Sequence, residues 1–261
     1  MPKHTDIINK MTFSYSNINT FETCRYAWYL TYIEKKERHS NFYSEWGSYG
    51  HQILEDFFLD KLAIYELLPY YKEHYAENIK SANPFGFGKD LGKLYYDQGY
   101  KFFENFDFDK SRFDIIQAEE FTIAQIKDIK VTIKPDIILR NKENGKTILM
   151  DYKSANPYGI KHALVPSKVL PYRKQLNLYS GVLWAKKKIQ VDEQWLWFFR
   201  TGGIERFPTS VTKIAEDITW FMSVVDKIKK EDDFAADISN QWFCLNLCSV
   251  SQDCIYKITE G

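Results

Sequence analysis

No stretch of the 261-residue sequence holds the run of about 18 apolar residues that a membrane-spanning helix needs. The segment from Met1 to Lys10 is polar and lacks the apolar core of a secretory signal peptide. Internal repeats and long low-complexity tracts are missing as well. We therefore expect a cytoplasmic protein that has no membrane partner and is not built from repeats.

The sequence also lacks an excess of charge of either sign. Lys and Arg total 35 and Asp and Glu total 35, so the formal net charge is zero. Overall charge therefore gives no support for binding to nucleic acid. Basic residues can still be concentrated along one cleft, and the net charge does not exclude that arrangement.

Cysteine is scarce. Cys24 stands alone near the start, and Cys244, Cys248 and Cys254 lie close together near the end. In the cytosol such residues are better explained as thiols or metal ligands than as disulfides. Soft thiolates bind zinc or iron–sulfur clusters, and the residues alone do not decide between the two. Four buried thiols without a metal are the remaining alternative.

Apolar residues, by contrast, are plentiful enough for a sizeable core. They make up 44% of the chain, charged residues make up 27%, and aromatic residues reach 17%. These proportions predict a soluble globular protein with one large domain. The many rings belong to the core, to a surface that stacks on bases, or to both.

Hydrophobic periodicity predicts helices in the N-terminal part, strands in the middle and helices again near the end. Helices are predicted from an N-cap at Ser16 through Tyr32 and over Ser48–Leu67, Leu91–Phe106, Pro171–Lys187 and Ile214–Ile228. Strands are predicted over 114–126, 130–140, 147–154, 194–200 and 204–207, with turns at Asn144-Gly145 and Gly202-Gly203. A loop at Asn83–Gly88 and an irregular tail from Asn240 complete the prediction. This order suggests an α/β core wrapped by helices.

Two of the predicted strands carry charged residues that would meet on one sheet face. Side chains alternate along a strand, so Asp151 and Lys153 share a face. In a simple hairpin with its turn near Asn144, Asp136 lies opposite Asp151. Two adjacent carboxylates destabilise a sheet unless something compensates them, and Mg²⁺ would do so. We interpret the three residues as a catalytic group, and ordinary surface charges are the alternative.

These residues resemble a known nuclease signature. Pro135-Asp136 followed by Asp151-Tyr152-Lys153 resembles the PD-(D/E)XK superfamily, with Asp in place of the commoner Glu. The resemblance implies that Asp136, Asp151 and the main-chain carbonyl of Tyr152 hold Mg²⁺ or Mn²⁺, and that Lys153 assists the attacking water. Members often have a glutamate on the preceding strand, which corresponds here to Glu119 or Glu120.

Two further motifs resemble the RecB-type branch of that superfamily. His51 follows Gly50 on a predicted helix, where the branch has a histidine that reaches the metal, although pairing with Glu55 one turn later is the alternative. Gln175 and Tyr179 match its Gln-x-x-x-Tyr helix and share one helical face. The resemblance implies that Gln175 orients a water or a phosphate and that Tyr179 shapes the cleft.

The cysteine order resembles the iron–sulfur nucleases of the same branch, such as the AddB-like and CRISPR-adaptation nucleases. One cysteine precedes the nuclease motifs and three follow them, which implies a 4Fe–4S cluster, with Zn²⁺ as the alternative. The chain departs from the branch in one respect, because three residues rather than two separate Cys244 from Cys248.

The resemblance as a whole implies a restriction-endonuclease-like mixed β-sheet flanked by helices, with a helical N-terminal elaboration and a cysteine-rich C-terminal tail. We expect one nuclease domain over 1–261, with a helical part at about 14–110, a core at about 111–230 and a cluster-binding tail at about 240–254. The implied activity is metal-dependent cleavage of DNA, single-stranded or at ends, as an exonuclease. A helicase, recombination or integration partner fits this activity. A zinc-clamped DNA-binding protein without catalysis is the alternative.

Overall fold

The computed structural model describes residues 3–82, 84–86 and 89–257. Its strands, in chain order, are β1 (Thr12–Phe13), β2 (Phe85–Gly86), β3 (Lys89–Asp90), β4 (Phe113–Ala118), β5 (Thr122–Ile126), β6 (Ile129–Ile133), β7 (Ile137–Asn141), β8 (Thr147–Lys153), β9 (Glu193–Phe198) and β10 (Gly203–Pro208). Five of them form the main sheet, in the order β10-β9-β8-β7-β4. Strands β8 and β9 are parallel, and the other pairs of this sheet are antiparallel. A smaller sheet has the order β1-β6-β5, and β2 pairs with β3.

The helices surround these sheets. They are α1 (Thr5–Asn9), α2 (Tyr15–Thr23), α3 (Arg25–Trp28), α4 (Phe42–Phe58), α5 (Leu67–Glu73), α6 (Tyr75–Asn78), α7 (Leu91–Glu104), α8 (Pro166–Lys187), α9 (Val211–Lys230) and α10 (Gln241–Asn246). A π-helical turn follows α3 at Tyr29–Ile33, and 3-10 turns lie at Ile64–Glu66, Lys110–Arg112, Ile160–His162 and Ser251–Asp253. In the ranges that the structure describes, no helix is both long enough and apolar enough to pass through a membrane.

The main sheet is covered on both faces. Leu149 and Leu196 belong to the apolar core on the side of α8 and α9, whereas Met150 and Trp197 belong to the core on the side of α4, α5 and α7. Strand β8 is therefore buried along nearly its whole length, as a central strand between two helical layers must be. This mixed sheet between helices is the restriction-endonuclease-like α/β class that the sequence predicts.

The predicted strands 114–126 and 130–140 are each divided in two, which the sequence analysis had wrong. Glu119 breaks the first with a left-handed backbone at φ 51°. The second breaks around Pro135, because proline has no N–H to donate to a ladder. Strands β5 and β6 then pair in the smaller sheet, whereas β4 and β7 pair in the larger one. The two breaks lie together, since Glu119 N donates to Asp136 O at 3.1 Å.

Several predicted helix limits are also wrong. Ser14, not Ser16, caps α2 by accepting from Asn17 N at 3.2 Å. The predicted continuous helix ends at Cys24, which is extended and caps α3 instead. The predicted helix at Ser48 begins earlier, at Phe42, because Asn41 and Ser44 form a capping box. Helix α8 begins at Pro166, so Pro171 lies inside it rather than at its start.

The remaining differences are at the loops and the tail. The tail is not wholly irregular, because it contains α10. Short strands β2 and β3 occupy part of the predicted loop at Asn83–Gly88, of which Asn83, Phe87 and Gly88 lie outside the described residues. The turn after β7 is longer than the two-residue type, with Gly145 at φ 72° as the left-handed residue.

Candidate active site

The register of β7 and β8 brings the predicted acids together. Ile137 pairs with Met150, so the same register places Asp136 opposite Asp151, as the sequence predicts. Oδ2 of Asp136 accepts a hydrogen bond from Tyr152 N at 2.7 Å. The Asp151 carboxylate forms an ion pair with the Lys153 ammonium, and only 3% and 15% of these two side chains are exposed. Three charged groups therefore share one nearly buried space at the end of β8.

Helix α4 brings His51 to the same place. A Cβ at Gly50 would lie 2.5 Å from Cε2 of Phe199, so only glycine lets α4 approach the end of β9 this closely. Nδ1 of the following His51 then lies 3.6 Å from Oδ2 of Asp136. Its ring meets the rings of Tyr152 and Phe199 edge to face. The distance to Asp136 is too long for a hydrogen bond, but it makes the two side chains neighbours.

Helix α8 supplies the opposite wall. Gln175 accepts from Lys153 Nζ at 3.0 Å and donates from Nε2 to Asp151 Oδ1 at 3.3 Å and to Tyr179 OH at 3.0 Å. The Lys153 ammonium also lies 5.0 Å from the ring centre of Tyr172. Gln175 and Tyr179 are predicted from the sequence, whereas Tyr172 is not. Its spacing, one turn before Gln175 on the same helical face, is the signal that could have found it.

The acidic pair before β5 is divided between two environments. Glu119 is 16% exposed and forms an ion pair with Lys134, close enough to the site to interact with the charge of Asp151. Glu120 is 60% exposed and pairs with Lys187 at 2.7 Å. Glu119 is therefore the member of the pair that faces the site. Lys134, its partner, is a residue that the sequence analysis did not single out.

The charges of the site are unbalanced. Burial raises the pKa of Asp136 well above its usual range, and repulsion from Asp151 adds to the effect. Burial also raises the pKa of Asp151, against the attraction of Lys153. Burial opposes the charge of Lys153, but Asp151 and Asp136 outweigh it and raise the pKa of the ammonium. Lys153 thus faces the two buried carboxylates while Lys134 pairs with Glu119, so carboxylates outnumber ammonium groups in the site.

Two neutral groups complete the site. Burial and the positive charge of Lys153 lower the pKa of His51 to about 3, so the imidazole is neutral at pH 7 and has a free lone pair for a cation. Burial and the neighbouring Asp151 raise the pKa of Tyr179 to about 12, so its phenol keeps its proton. Both residues can therefore shape the cleft without adding charge.

The donors fit a hard divalent cation in their chemistry. Carboxylate oxygens and a neutral imidazole are suitable ligands, and two acids gain most from such an ion. Oδ2 of Asp151 is buried and has no hydrogen bond in the described part of the chain, only its ion pair with Lys153. The ligands are not preformed, however. Within the described ranges, no three His, Cys, Asp or Glu side chains converge on a ready-made metal cage.

The four cysteines lie together, away from the acids. They line one pocket, whose walls include the apolar side chains of Ala27, Leu30 and Phe243. Burial raises the pKa of Cys248 to about 11 and also raises the pKa of Cys244 and Cys254. Four thiols in one pocket fit a soft metal in kind, and binding would have to displace the protons that burial retains. As at the acids, the thiols described do not form a preformed cage.

Comparison with known proteins identifies a family and a similar fold. Residues 12–257 match the family model of the PD-(D/E)XK nuclease superfamily. A solved structure from Eubacterium rectale, named a putative exonuclease, has a TM-score of 0.50 and 10% identity, covering 99% of this chain and 92% of that chain. At that identity the likeness shows the fold alone. The structure of SSO0001 has 15% identity over 96% of this chain and 88% of that chain, with a TM-score of 0.39. No curated protein matches significantly.

Proposed function

Because the chain belongs to the PD-(D/E)XK nuclease superfamily, we propose that it hydrolyses phosphodiester bonds of DNA at the site formed by Asp136, Asp151 and Lys153. The observation that carries the proposal is the pair of buried carboxylates that only one ammonium compensates. Nucleases of this superfamily typically use Mg²⁺ or Mn²⁺. Such an ion would supply the missing positive charge, activate water and stabilise the charge on the attacked phosphate.

The position of each residue supports a proposed role. Asp136, Asp151 and His51 would hold the ion, with the main-chain carbonyl of Tyr152 beside them. Lys153 is a permanent cation that the attacking water and the phosphate can both reach. Gln175 holds the Lys153 ammonium in place through its 3.0 Å hydrogen bond. Tyr179 and Glu119 close the two sides of the cleft.

We further propose exonuclease action on single strands or ends, with a helicase, recombination or integration enzyme as partner. A zinc-clamped DNA-binding protein without catalysis is the alternative. The buried set of Asp136, Asp151 and Lys153 favours catalysis. Two carboxylates that face a phosphate would repel it, so a protein that only binds DNA would be weakened by them.

The four cysteines are proposed to bind a 4Fe–4S cluster, with Zn²⁺ as the other candidate. The shared pocket of Cys24 with the three late cysteines supports this assignment. In this proposal the chain is one nuclease domain over 1–261, with a helical part at about 14–110, a core at about 111–230 and a cluster-binding tail at about 240–254. The cluster or zinc ion bound by the four cysteines would join the first helices of the chain to its tail.

A nuclease assay tests the proposed activity. Labelled single- and double-stranded DNA is incubated with Mg²⁺, with Mn²⁺ and with EDTA, using wild-type protein and the Asp151→Asn variant. We expect metal-dependent shortening of the strands from one end, which EDTA and the variant both abolish. DNA that is bound but never cut under any of these conditions would favour the non-catalytic alternative.

A further inference from the structure

A second cavity lies at the edge of the main sheet where β9 ends. It is bordered by α7, by the loop after β8 and by the turn between β9 and β10, and we name it the α7 pocket. Its volume is about 600 Å³, within the range of about 300–1,000 Å³ that small-ligand pockets occupy. Lys153 pairs with Phe198 in the parallel strands, so Arg200 on the pocket wall follows at the same edge of the sheet. The pocket and the active site thus lie at the same edge of the main sheet, with Trp197 of the pocket on the side of α7 and the Gln175 that contacts Asp151 and Lys153 on the side of α8.

Two basic side chains on the pocket wall form no ion pair with any residue that the structure describes. Nε of Arg200 donates to Oε1 of Gln98 at 2.9 Å, and Nη1 donates to Tyr95 OH at 2.7 Å. Its guanidinium stacks 4.1 Å from the centre of the Tyr95 ring. These neutral groups fix the orientation of the guanidinium but leave its charge uncompensated. Among the described residues, neither Arg200 nor Lys101 forms an ion pair, and Asp107 is the one carboxylate on the described lining.

The floor of the pocket is aromatic. Phe106 stacks on Trp197 with ring centres 5.2 Å apart and an interplanar angle of 19°. Phe108 extends the surface, with its ring centre 5.1 Å from that of Trp197. Phe106 and Phe108 are only half-buried, so parts of their rings face the pocket. Rings beside unpaired cations are the combination that binds single-stranded nucleic acid, because bases stack on the rings and phosphates meet the cations.

We propose that the α7 pocket binds one nucleotide of the single DNA strand that is being cut, where that strand passes the edge of the main sheet on the side of α7. The base stacks on the aromatic floor, and its phosphate contacts Arg200 and Lys101. This inference rests on the proposed nuclease function and names a substrate class for it. A pocket that holds one nucleotide of the strand favours single-stranded substrates, because a paired base cannot reach the floor.

Binding can be measured without cleavage. All proteins carry Asp151→Asn, and a fluorescein-labelled oligothymidylate is titrated by anisotropy without a divalent metal. We expect Arg200→Gln and Lys101→Gln each to weaken binding about tenfold and to reduce the salt slope by about 1. Lys186→Gln, an exposed lysine at the end of α8, is the matched control and should bind as the parent does. Thermal melting checks each fold, and Lys101 is exposed enough to be replaced safely if Arg200→Gln unfolds.

Two further arms separate the possible outcomes. An oligonucleotide with abasic sites should bind the parent more weakly, and Phe106→Leu should reduce that difference. Competition with dTMP distinguishes a strand from a free nucleotide. If dTMP affinity falls in both charge variants while their oligothymidylate affinity stays at the parental value, the pocket binds a free nucleotide and the strand assignment fails. If both variants keep the parental affinity for oligothymidylate and for dTMP, the pocket proposal itself fails. If both variants lose affinity while wild-type protein never cuts DNA, the pocket stands and the nuclease proposal fails.

Discussion

At the scale of single residues, the candidate site is marked by an imbalance between its acidic and basic side chains. Asp136 and Asp151 are buried side by side, and Lys153 balances only one of them. A protein rarely keeps two such acids together for packing, because each ionised carboxylate loses its hydration and repels the other. Function and stability should therefore respond in opposite directions when one acid is neutralised.

Asp136→Asn is the first test of this view. The amide oxygen can still accept from Tyr152 N, so the local hydrogen bond is kept while the repulsion disappears. We expect a melting temperature equal to or above that of the metal-free wild type, and a rate of cleavage lower by about a hundredfold or more. Melting curves and the nuclease assay measure the two effects. Cleavage at nearly the wild-type rate would remove Asp136 from the site.

The pH dependence of stability is the second test. The pKa values of Asp136 and Asp151 are raised in the folded protein, so folding retains their protons and metal-free stability falls as pH rises from about 4 through those raised values. The pKa of His51 is lowered to about 3, so this residue makes the folded protein more stable as pH rises. That increase in stability is complete by about pH 6.5, the pKa of an unfolded histidine. At higher pH the carboxylates are ionised and a cation relieves their repulsion.

We therefore expect Mn²⁺ to raise the melting temperature more at pH 8 than at pH 5. Protons compete with the metal for the same oxygens at the lower pH. Thermal unfolding with and without Mn²⁺ at both values measures the effect, and Asp136→Asn is the control in which it should shrink. An equal shift at both pH values would indicate that the metal binds elsewhere.

At the scale of elements, the site depends on how closely α4 lies on the end of β9. Gly50 faces the ring of Phe199, and a methyl group there has no space. The next residue is His51, so any displacement of α4 moves the imidazole away from Asp136. A contact between two elements thus sets a distance within the site.

Gly50→Ala should therefore damage the site as well as the fold. We expect a loss of about 1–3 kcal/mol in the free energy of unfolding from overpacking. We also expect weaker binding of the metal, so that cleavage requires a higher metal concentration. Gly145→Ala is the matched control, because Gly145 has φ 72° and open space around it. That change should cost about 1 kcal/mol through the left-handed turn and leave metal response unchanged. Denaturant unfolding and metal titration of the activity measure both, and equal metal responses would contradict this role of α4.

At the scale of the whole molecule, the cysteine pocket joins the two ends of the described chain. Cys24 lies between α2 and α3, whereas its three companions lie in the tail around α10. His39 N also donates to Ser249 O at 2.8 Å, which is a second contact between these regions. A metal or cluster at the four thiols would hold the first helices against the tail.

Cys24→Ser should release that metal. We expect protein purified without oxygen to be brown and to contain iron, and the variant to lose the colour and melt at a lower temperature. Metal analysis and absorption spectra are the measurements, and Cys244→Ser should behave in the same way because it removes a ligand of the same group. Colourless protein with stoichiometric zinc would replace the cluster by a zinc clamp. Metal-free, fully stable protein would contradict both.

The sequence by itself determined the features that depend on local periodicity and turn chemistry. The alternation along Asp151 and Lys153, the turn at Gly145 and the face shared by Gln175 and Tyr179 are all such features, and the structure has each of them. The mixed α/β class followed from the order of the same patterns. Residues near each other in sequence largely decide these features, so they could be predicted from this one sequence.

Only the tertiary structure decided which distant residues meet. Glu119 and Glu120 are adjacent and chemically alike, and they were separated only by the divergence of the two sheets, which turns one toward Lys134 and the other toward Lys187. The approach of His51 to Asp136 and the unpaired charge of Arg200 likewise depend on packing between elements far apart in the chain. Local pattern carries no record of such contacts, because they arise when separate helices and strands bury their apolar faces against one another.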